Sequence, residues 1–184
     1  MTDAKIIDSK MSIFLVGLPG SGKTTIGKLL AHRLHLPFTD TDEMIVLKYK
    51  NSIDSIFSTF GEEKFREMEA SLVHDDLHFT GIISTGGGFP CHHGIMDVIK
   101  NLGLVIYIQS PLKMIWQRIK DDHNRPLLKG KTQKEIFDSL RELYKKRHEC
   151  YSQAHFTIKN NRKLEMVLEE MDNRIKDYAQ MRNL

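Results

Sequence analysis

Long apolar runs and cysteines are both scarce in this chain of 184 residues. A membrane-spanning helix needs roughly 20 consecutive, mostly apolar residues, and no segment offers them, so we expect no membrane partner. The two cysteines, Cys91 and Cys150, are too few for a disulfide-rich secreted scaffold. The first ten residues are polar and too short for a signal peptide. We therefore expect a cytoplasmic protein in which both thiols are reduced.

Neither sign of charge dominates the sequence. Lysine and arginine total 27 against 24 aspartates and glutamates, which gives a net charge of +3. No run of like charge and no mixture of basic and aromatic residues marks a nucleic-acid surface, so we expect no nucleic-acid partner. Small anionic substrates account for the slight basic excess. The length and the hydrophobic content of 40% fit a single domain over residues 1–184.

Residues 17–24, GLPGSGKT, are the most informative segment. They match the phosphate-loop pattern G-x-x-x-x-G-K-[ST], directly after an apolar run and directly before a helical pattern. A strand that ends in a glycine turn and opens a helix aims several backbone N–H groups and the positive helix end at one point. The segment predicts a site for a nucleoside triphosphate with Mg²⁺, formed by Gly20, Ser21, Gly22, Lys23, Thr24 and Thr25.

Short apolar runs alternate with helical stretches along the rest of the chain, which predicts an α/β fold with a parallel sheet between two layers of helices. Such buried strands lack polar alternation because both of their faces are covered. We expect about five strands, at 11–16, 81–84 and 103–108, with shorter ones near 37–39 and 155–158.

Three segments of the chain have predicted tasks. Residues 11–36 form the phosphate-loop unit, in which the first helix runs from Thr24 to about His35. Residues 42–79 predict two helices separated at Gly61, which is more than a simple β–α–β connection needs and indicates a substrate-binding insertion. The polar segment 121–131 predicts a mobile lid.

Two aspartates, Asp40 and Asp42, follow the second predicted strand and so lie at the carboxyl edge of the sheet, beside the phosphate loop. Alternate residues of an extended segment point to opposite sides. One carboxylate can therefore face a metal while the other faces a second substrate. The alternative is that Asp40 or Thr41 only caps the next helix and that Asp42 adds negative charge to its first turn.

Three further features can bind negative charge. Arg66 suits bidentate recognition of a carboxylate or phosphate, or it pairs on the surface with Glu62 or Glu69 at helical spacing. The glycine run 86–88 can offer N–H groups to an anion, or it forms a flexible turn. Arg125, in the predicted lid, can neutralise a phosphoryl group during its transfer.

Taken together, these segments resemble the shikimate kinase family, within the nucleoside-monophosphate-kinase-like P-loop kinases. The matching stretches are GLPGSGKTTIGKLLA, FTDTDEMI, GEEKFREME, STGGG, RPLL and the spacing Arg147-x-x-x-Tyr151, in the family's order through residues 11–155. The resemblance implies ATP-dependent phosphorylation of the shikimate 3-hydroxyl, a step of chorismate and aromatic amino-acid biosynthesis.

The resemblance also implies a role for each matching residue. Asp42 binds the shikimate hydroxyls and acts as the base, and Arg66, Arg147 and the run Gly86, Gly87 and Gly88 hold its carboxylate. Phe57 and Phe65 pack near the shikimate. Lys23 contacts the β- and γ-phosphates, Thr24 binds Mg²⁺ with Asp40 acting through water, Arg118 packs on the adenine, and Arg125 neutralises the migrating group.

Three other functions compete with this interpretation. A gluconate kinase of the same fold would share the phosphate loop and the lid but not the D-T-D, F-R and G-G-G set. A nucleotide kinase would need a second nucleobase pocket, for which the sequence gives no specific signal. A noncatalytic ATP-binding domain could lose Asp42 and Arg125 freely. We expect a monomeric kinase that takes shikimate as its partner molecule.

Overall fold

The computed structural model describes residues 11–74, 79–120 and 132–182. Five parallel strands form one sheet in the order β2–β3–β1–β4–β5. The predicted α/β fold with a central parallel sheet is confirmed, and the predicted lid at 121–131 lies outside the described residues. The strands are β1 (Ser12–Val16), β2 (Phe38–Asp40), β3 (Gly81–Ser84), β4 (Leu104–Gln109) and β5 (Phe156–Lys159).

Helices cover both faces of this sheet. Within the described ranges they are α1 (Lys23–Leu34), α2 (Thr41–Tyr49), α3 (Ile53–His74), α4 (Ile95–Leu102), α5 (Leu112–Ile119), α6 (Gln133–Tyr151) and α7 (Leu164–Met181), with a 3-10 turn at Phe89–Cys91. None of these helices is long and apolar enough to cross a bilayer.

Side-chain alternation along the strands divides the core in two. Ile13 and Leu15 of β1 pack with the apolar residues of α1 and α7, whereas Phe14 and Val16 pack with those of α2 to α6. All four side chains are fully buried. Successive strand residues point to opposite faces, so both layers of helices are needed to bury one continuous apolar strand.

A single glycine divides α3. Gly61 has φ 79° and ψ 177°, which is not helical, and the helix continues on both sides of it. The predicted break at Gly61 is therefore confirmed, although no loop comes between the two halves, and α2 is a further helix that the prediction of two helices over 42–79 did not include. The kink sets the direction of the second half, which carries Arg66 and Glu69.

The strand order determines where the site forms. β3 lies between β1 and β2, and all three strands run in the same direction. The phosphate loop after β1, Asp40 at the end of β2 and the glycine run after β3 therefore meet at one edge of the sheet. Ligands of open α/β sheets bind at this carboxyl edge.

Candidate active site

A cleft of about 440 Å³ opens at the carboxyl edge of the sheet. We call it the larger cleft. The phosphate loop forms its floor, and α2, α3, the glycine run, α5 and α6 supply its walls. Among its lining residues are Lys23, Thr24, Asp40, Asp42, Phe57, Phe65, Arg66, Glu69, Gly86, Gly87, Gly88 and Arg147. Most residues that the sequence predicts for shikimate and phosphoryl transfer are thus brought together.

The phosphate loop has the backbone that its glycines predict. Gly17, Gly20 and Gly22 all have positive φ, and Gly22 is the N-cap of α1. The Lys23 ammonium donates to the carbonyl oxygens of Gly17 at 2.9 Å and Leu18 at 3.0 Å. Lys23 is buried, so its charge is held over the loop at the point where the helix N-terminus also favours anions.

A second cleft of about 380 Å³ lies on the other side of the same loop. It shares Gly20, Lys23 and Thr24 with the larger cleft, and it adds Thr25 and Arg118 as predicted for the nucleotide. We call it the smaller cleft. The guanidinium of Arg118 donates to the Gly20 carbonyl at 3.2 Å, which places a cation beside the loop.

Two polar side chains support the loop from below. Asn160, just after β5, donates from Nδ2 to the Ser21 carbonyl at 2.9 Å. The hydroxyl of Ser110, just after β4, donates to the same oxygen at 2.8 Å. Both side chains are buried, and Asn160 also lines the smaller cleft. The sheet thereby fixes the loop from the ends of two further strands.

Thr24 and Asp40, the two residues predicted to hold Mg²⁺, lie next to each other. The Thr24 hydroxyl donates to Asp40 Oδ2 at 3.1 Å and lies 3.2 Å from the hydroxyl of Ser84. Across the described part of the chain there is no group of three or more His, Cys, Asp or Glu residues that could hold a metal. The oxygens of Thr24 and Asp40 are hard donors of the type Mg²⁺ prefers alongside water and phosphate.

The predicted extended segment from Asp40 to Asp42 is wrong. Asp40 is extended, but α2 begins at Thr41, and Asp40 Oδ1 accepts a hydrogen bond from the Asp42 N–H at 3.0 Å. Asp40 therefore caps α2 through Oδ1 and contacts Thr24 through Oδ2. Asp42 lies in the first helical turn and lines the larger cleft, so the helix, and not strand alternation, separates the two carboxylates.

Arg66 is buried, not a surface residue. Its Nη1 donates to Glu69 Oε2 at 2.5 Å, and its Nη2 donates to Glu62 Oε1 at 2.8 Å. Both glutamates at helical spacing are thus its partners, yet the guanidinium still lines the larger cleft. The hydrogen bond with Arg66, and more weakly the charge of Arg147, hold the pKa of Glu62 below its usual range.

Glu69 is an active-site residue that the sequence prediction treated only as a surface partner. Its side chain is 1% exposed, and its Oε1 has no hydrogen-bond partner. Burial raises its pKa to about 7, against the opposing charge of Arg66, and the nearby Asp42 carboxylate adds to the rise. The sequence signal for the pairing of Arg66 with Glu69 was their spacing, because residues three apart share a helix face.

Close approach, not backbone conformation, explains the glycine run. Gly86 and Gly88 do not have positive φ. A Cβ atom at Gly88 would lie 2.5 Å from Arg66 Cζ, and one at Gly86 would lie 2.6 Å from Asp42 Oδ1. The Gly86 N–H also donates to the buried Thr41 hydroxyl at 2.9 Å. The run is therefore packed against the charged groups of the cleft and is not a free turn.

The opposite wall comes from α6. Arg147 is buried and lines the larger cleft, and the Tyr151 hydroxyl, one turn later, donates to the Gly87 carbonyl.

Phe57 and Phe65 of α3 form an apolar wall, with their ring centroids 4.6 Å apart. Arg125 lies outside the described residues.

Comparisons with known proteins agree with this geometry. A family model described as shikimate kinase matches residues 19–176. The shikimate kinase of Bacteroides fragilis is 37% identical over 146 residues, which is 78% of this chain and 82% of the relative. A crystal structure of shikimate kinase from Bacteroides thetaiotaomicron is similar with a TM-score of 0.84 at 29% identity, covering 90% of this chain and 98% of that one. Shikimate kinase from Acinetobacter baumannii in complex with shikimate has a TM-score of 0.79 at 32% identity, with 97% and 93% covered.

Proposed function

The chain belongs to the shikimate kinase family, and on that premise we propose that shikimate binds in the larger cleft and ATP binds across the phosphate loop from the smaller one. The enzyme transfers a phosphoryl group from its co-substrate ATP to shikimate. The observation that carries the proposal is the meeting of Arg66, Arg147, Asp42 and Lys23 in one cleft. The gluconate kinase and noncatalytic alternatives are not favoured.

The arginine end of the cleft binds the acid group of the substrate. Arg66 and Arg147 are both buried, and a guanidinium can bind a carboxylate through two parallel hydrogen bonds. Gly88 brings the main chain against Arg66, which leaves room for a carboxylate but not for a side chain. Phe57 and Phe65 cover the apolar ring carbons. This wall selects a small carboxylic acid with an apolar ring framework.

The phosphate-loop end carries the reaction. Asp42 accepts hydrogen bonds from the substrate hydroxyls and holds the 3-hydroxyl toward the γ-phosphate, where it takes the proton as the new O–P bond forms. Lys23, buried over the loop, stabilises the negative charge on the γ-phosphoryl oxygens. Phosphoryl transfer depends mainly on such positioning and charge stabilisation.

Mg²⁺ fits the oxygen donors beside the loop. The Thr24 hydroxyl and the Asp40 carboxylate, 3.1 Å apart, would hold it, Thr24 directly and Asp40 through water. When bound, Mg²⁺ neutralises charge on the β- and γ-phosphates.

Further assignments complete the proposal. Arg118 packs on the adenine, and Gly20, Ser21, Gly22 and Thr25 bind the phosphates through the loop and the start of α1. Arg125 closes over the γ-phosphate from a lid at 121–131 and excludes water. The whole chain, 1–184, is one kinase domain with shikimate-binding helices at 42–79, and it acts as a monomer in the cytoplasm.

One experiment tests the proposal. ADP release is measured with purified protein and MgATP in the presence of shikimate, gluconate or a nucleoside monophosphate. We expect release that depends on shikimate and saturates with it, together with formation of shikimate 3-phosphate by mass spectrometry. Equal ADP release with gluconate, or ADP release that depends on none of the three acceptors, would reject shikimate as the substrate.

A further inference from the structure

The two cysteines of the chain follow residues that line the larger cleft, although neither cysteine is among the lining residues. Cys91 ends the turn Phe89–Cys91, directly after the glycine run, and Cys150 lies three residues after Arg147 on α6. This turn packs against α6. Both cysteines are half-buried free thiols against the same apolar core cluster, 59 positions apart in sequence by their numbers (150 − 91).

The turn that carries Cys91 packs against α6, which carries Cys150, and an interaction between the two thiols raises the pKa of Cys91 and lowers that of Cys150. A hydrogen bond from the Tyr151 hydroxyl to the Gly87 carbonyl holds the end of α6 beside the glycine run, just before the turn. This hydrogen bond therefore limits how far Cys150 can move relative to the residues just before Cys91.

We propose that Cys91 and Cys150 form a thiol–disulfide modification site, oxidised by a small-molecule disulfide such as glutathione disulfide and restored by excess thiol. Cys91 lies three residues after Gly88, and Cys150 lies three residues after Arg147, so the site adjoins two residues that line the cleft. No function stated above uses either sulfur.

The exchange balances in two steps. The Cys150 thiolate attacks one sulfur of the small disulfide, forms a mixed disulfide and releases one small thiolate. Cys91 then attacks the Cys150 sulfur, forms the Cys91–Cys150 bond and releases the second thiolate. The two protein thiols lose two protons and two electrons, and the small disulfide becomes two thiols.

The local electrostatics agree with this order of attack. The interaction with Cys91 holds the pKa of the Cys150 thiol below its usual range, opposed by burial and assisted by the charge of Arg147. The same interaction, together with burial, raises the pKa of Cys91. Thiolate character makes a cysteine the attacking group, so Cys150 reacts first and Cys91 resolves the mixed disulfide.

Closing the bond should alter shikimate binding. An S–S bond is only about 2 Å long, shorter than any contact between unbonded sulfurs, so its formation draws the last turn of α6 toward the turn that carries Cys91. Arg147 and Gly88 then shift relative to each other. This consequence rests on the proposed function, in which both contact the shikimate carboxylate. ATP binds at the loop, away from the cysteines, and should be unaffected.

The test separates the chemistry from its effect. The full chain is treated with glutathione disulfide, and its intact mass and free thiols are measured. We expect the loss of two hydrogens, no retained glutathione, and reversal by dithiothreitol. No reaction, or only glutathione adducts, would reject the site whether or not the reduced enzyme phosphorylates shikimate.

Kinetics of the same samples test the effect. We expect the KM for shikimate to rise on the order of tenfold on oxidation, with the KM for ATP unchanged. The matched control is the double variant Cys91→Ser/Cys150→Ser. It should retain the reduced enzyme's activity, and glutathione disulfide should change neither its mass nor its KM for shikimate. An intramolecular disulfide that leaves the KM for shikimate unchanged would overturn the proposed effect. Absence of shikimate kinase activity in the reduced protein would instead reject the function.

Discussion

Arg66 donates to Glu69 across one turn of α3, with 2.5 Å between Nη1 and Oε2, and both side chains are buried. The second carboxylate oxygen of Glu69 has no hydrogen-bond partner. It lies on the side of Gly86, where a Cβ atom would come within 2.9 Å of it and 2.6 Å of Asp42 Oδ1. Glu69 thus lies between the arginine proposed to bind the substrate acid and the aspartate proposed to bind its hydroxyls.

Protonation of Glu69 should make stability depend on pH. Its pKa is about 7 in the folded protein against 4.5 unfolded, because burial disfavours the carboxylate. Between these values the folded protein keeps a proton that the unfolded chain has lost, so stability falls as pH rises through this window. The shift corresponds to about 3 kcal/mol. Glu69→Gln should remove this dependence, measured by urea unfolding across the window and above it.

A neighbouring glutamate provides the control for that measurement. Glu67 is on the same helix, but its carboxylate is half exposed and pairs with Lys64. Glu67→Gln should therefore follow the wild-type pH dependence. If Glu69→Gln and the wild type lose stability in parallel between pH 4.5 and about 7, the proton is not on Glu69.

Adding one methyl group at Gly88 should displace Arg66. The φ of Gly88 is −94°, which alanine adopts freely, but its Cβ would lie 2.5 Å from Arg66 Cζ. We expect Gly88→Ala to raise the KM for shikimate on the order of tenfold and to leave the KM for ATP unchanged, as measured by coupled assay of ADP release.

Gly94→Ala separates this steric effect from backbone strain. Gly94 has φ +69°, and a Cβ there would meet nothing within 4 Å. The variant should lose about 1 kcal/mol of stability and keep the wild-type KM for shikimate. An unchanged KM in Gly88→Ala would mean that Arg66 does not need its present position to bind the substrate.

Asp42→Asn should nearly abolish turnover while ATP binding persists. The amide fills the same space but cannot take a proton from the hydroxyl, so we expect kcat to fall by about 10²-fold or more. ATP affinity is measured by calorimetry on the same protein. Asp97→Asn, an exposed first-turn acid of α4, is the control and should be silent. An equal loss of ATP affinity would place Asp42 with the metal instead.

Asn160→Ala should weaken ATP binding selectively. The change removes the hydrogen bond from Nδ2 to the Ser21 carbonyl, 2.9 Å long and buried. The net value of such a bond is about 1 kcal/mol, so the KM for ATP should rise about fivefold while the KM for shikimate stays constant. Asn161→Ala, the exposed neighbour, should change neither. A rise in the shikimate KM alone would contradict support of the loop.

Local patterns made much of this site predictable from sequence. The phosphate loop follows from glycines, a lysine and their flanking strand, and the strand at 81–84 agrees in both bounds with β3. Asn160 was not predictable in this way, because it lies 139 positions from Ser21 and reaches it only through the pairing of β5 with β4. The alternation argument for Asp40 and Asp42 failed because side-chain capping started α2 one residue after the strand.

The hydrogen bonds of Lys23 have a consequence for the thermodynamics of ATP binding. Two loop carbonyls, those of Gly17 and Leu18, already order its long side chain. A lysine that is free in solution loses up to about 2 kcal/mol of rotamer entropy when it is immobilised. Because Lys23 is already ordered in the folded protein, ATP binding does not lose this entropy again. A larger share of the attraction between ammonium and phosphate therefore contributes to affinity.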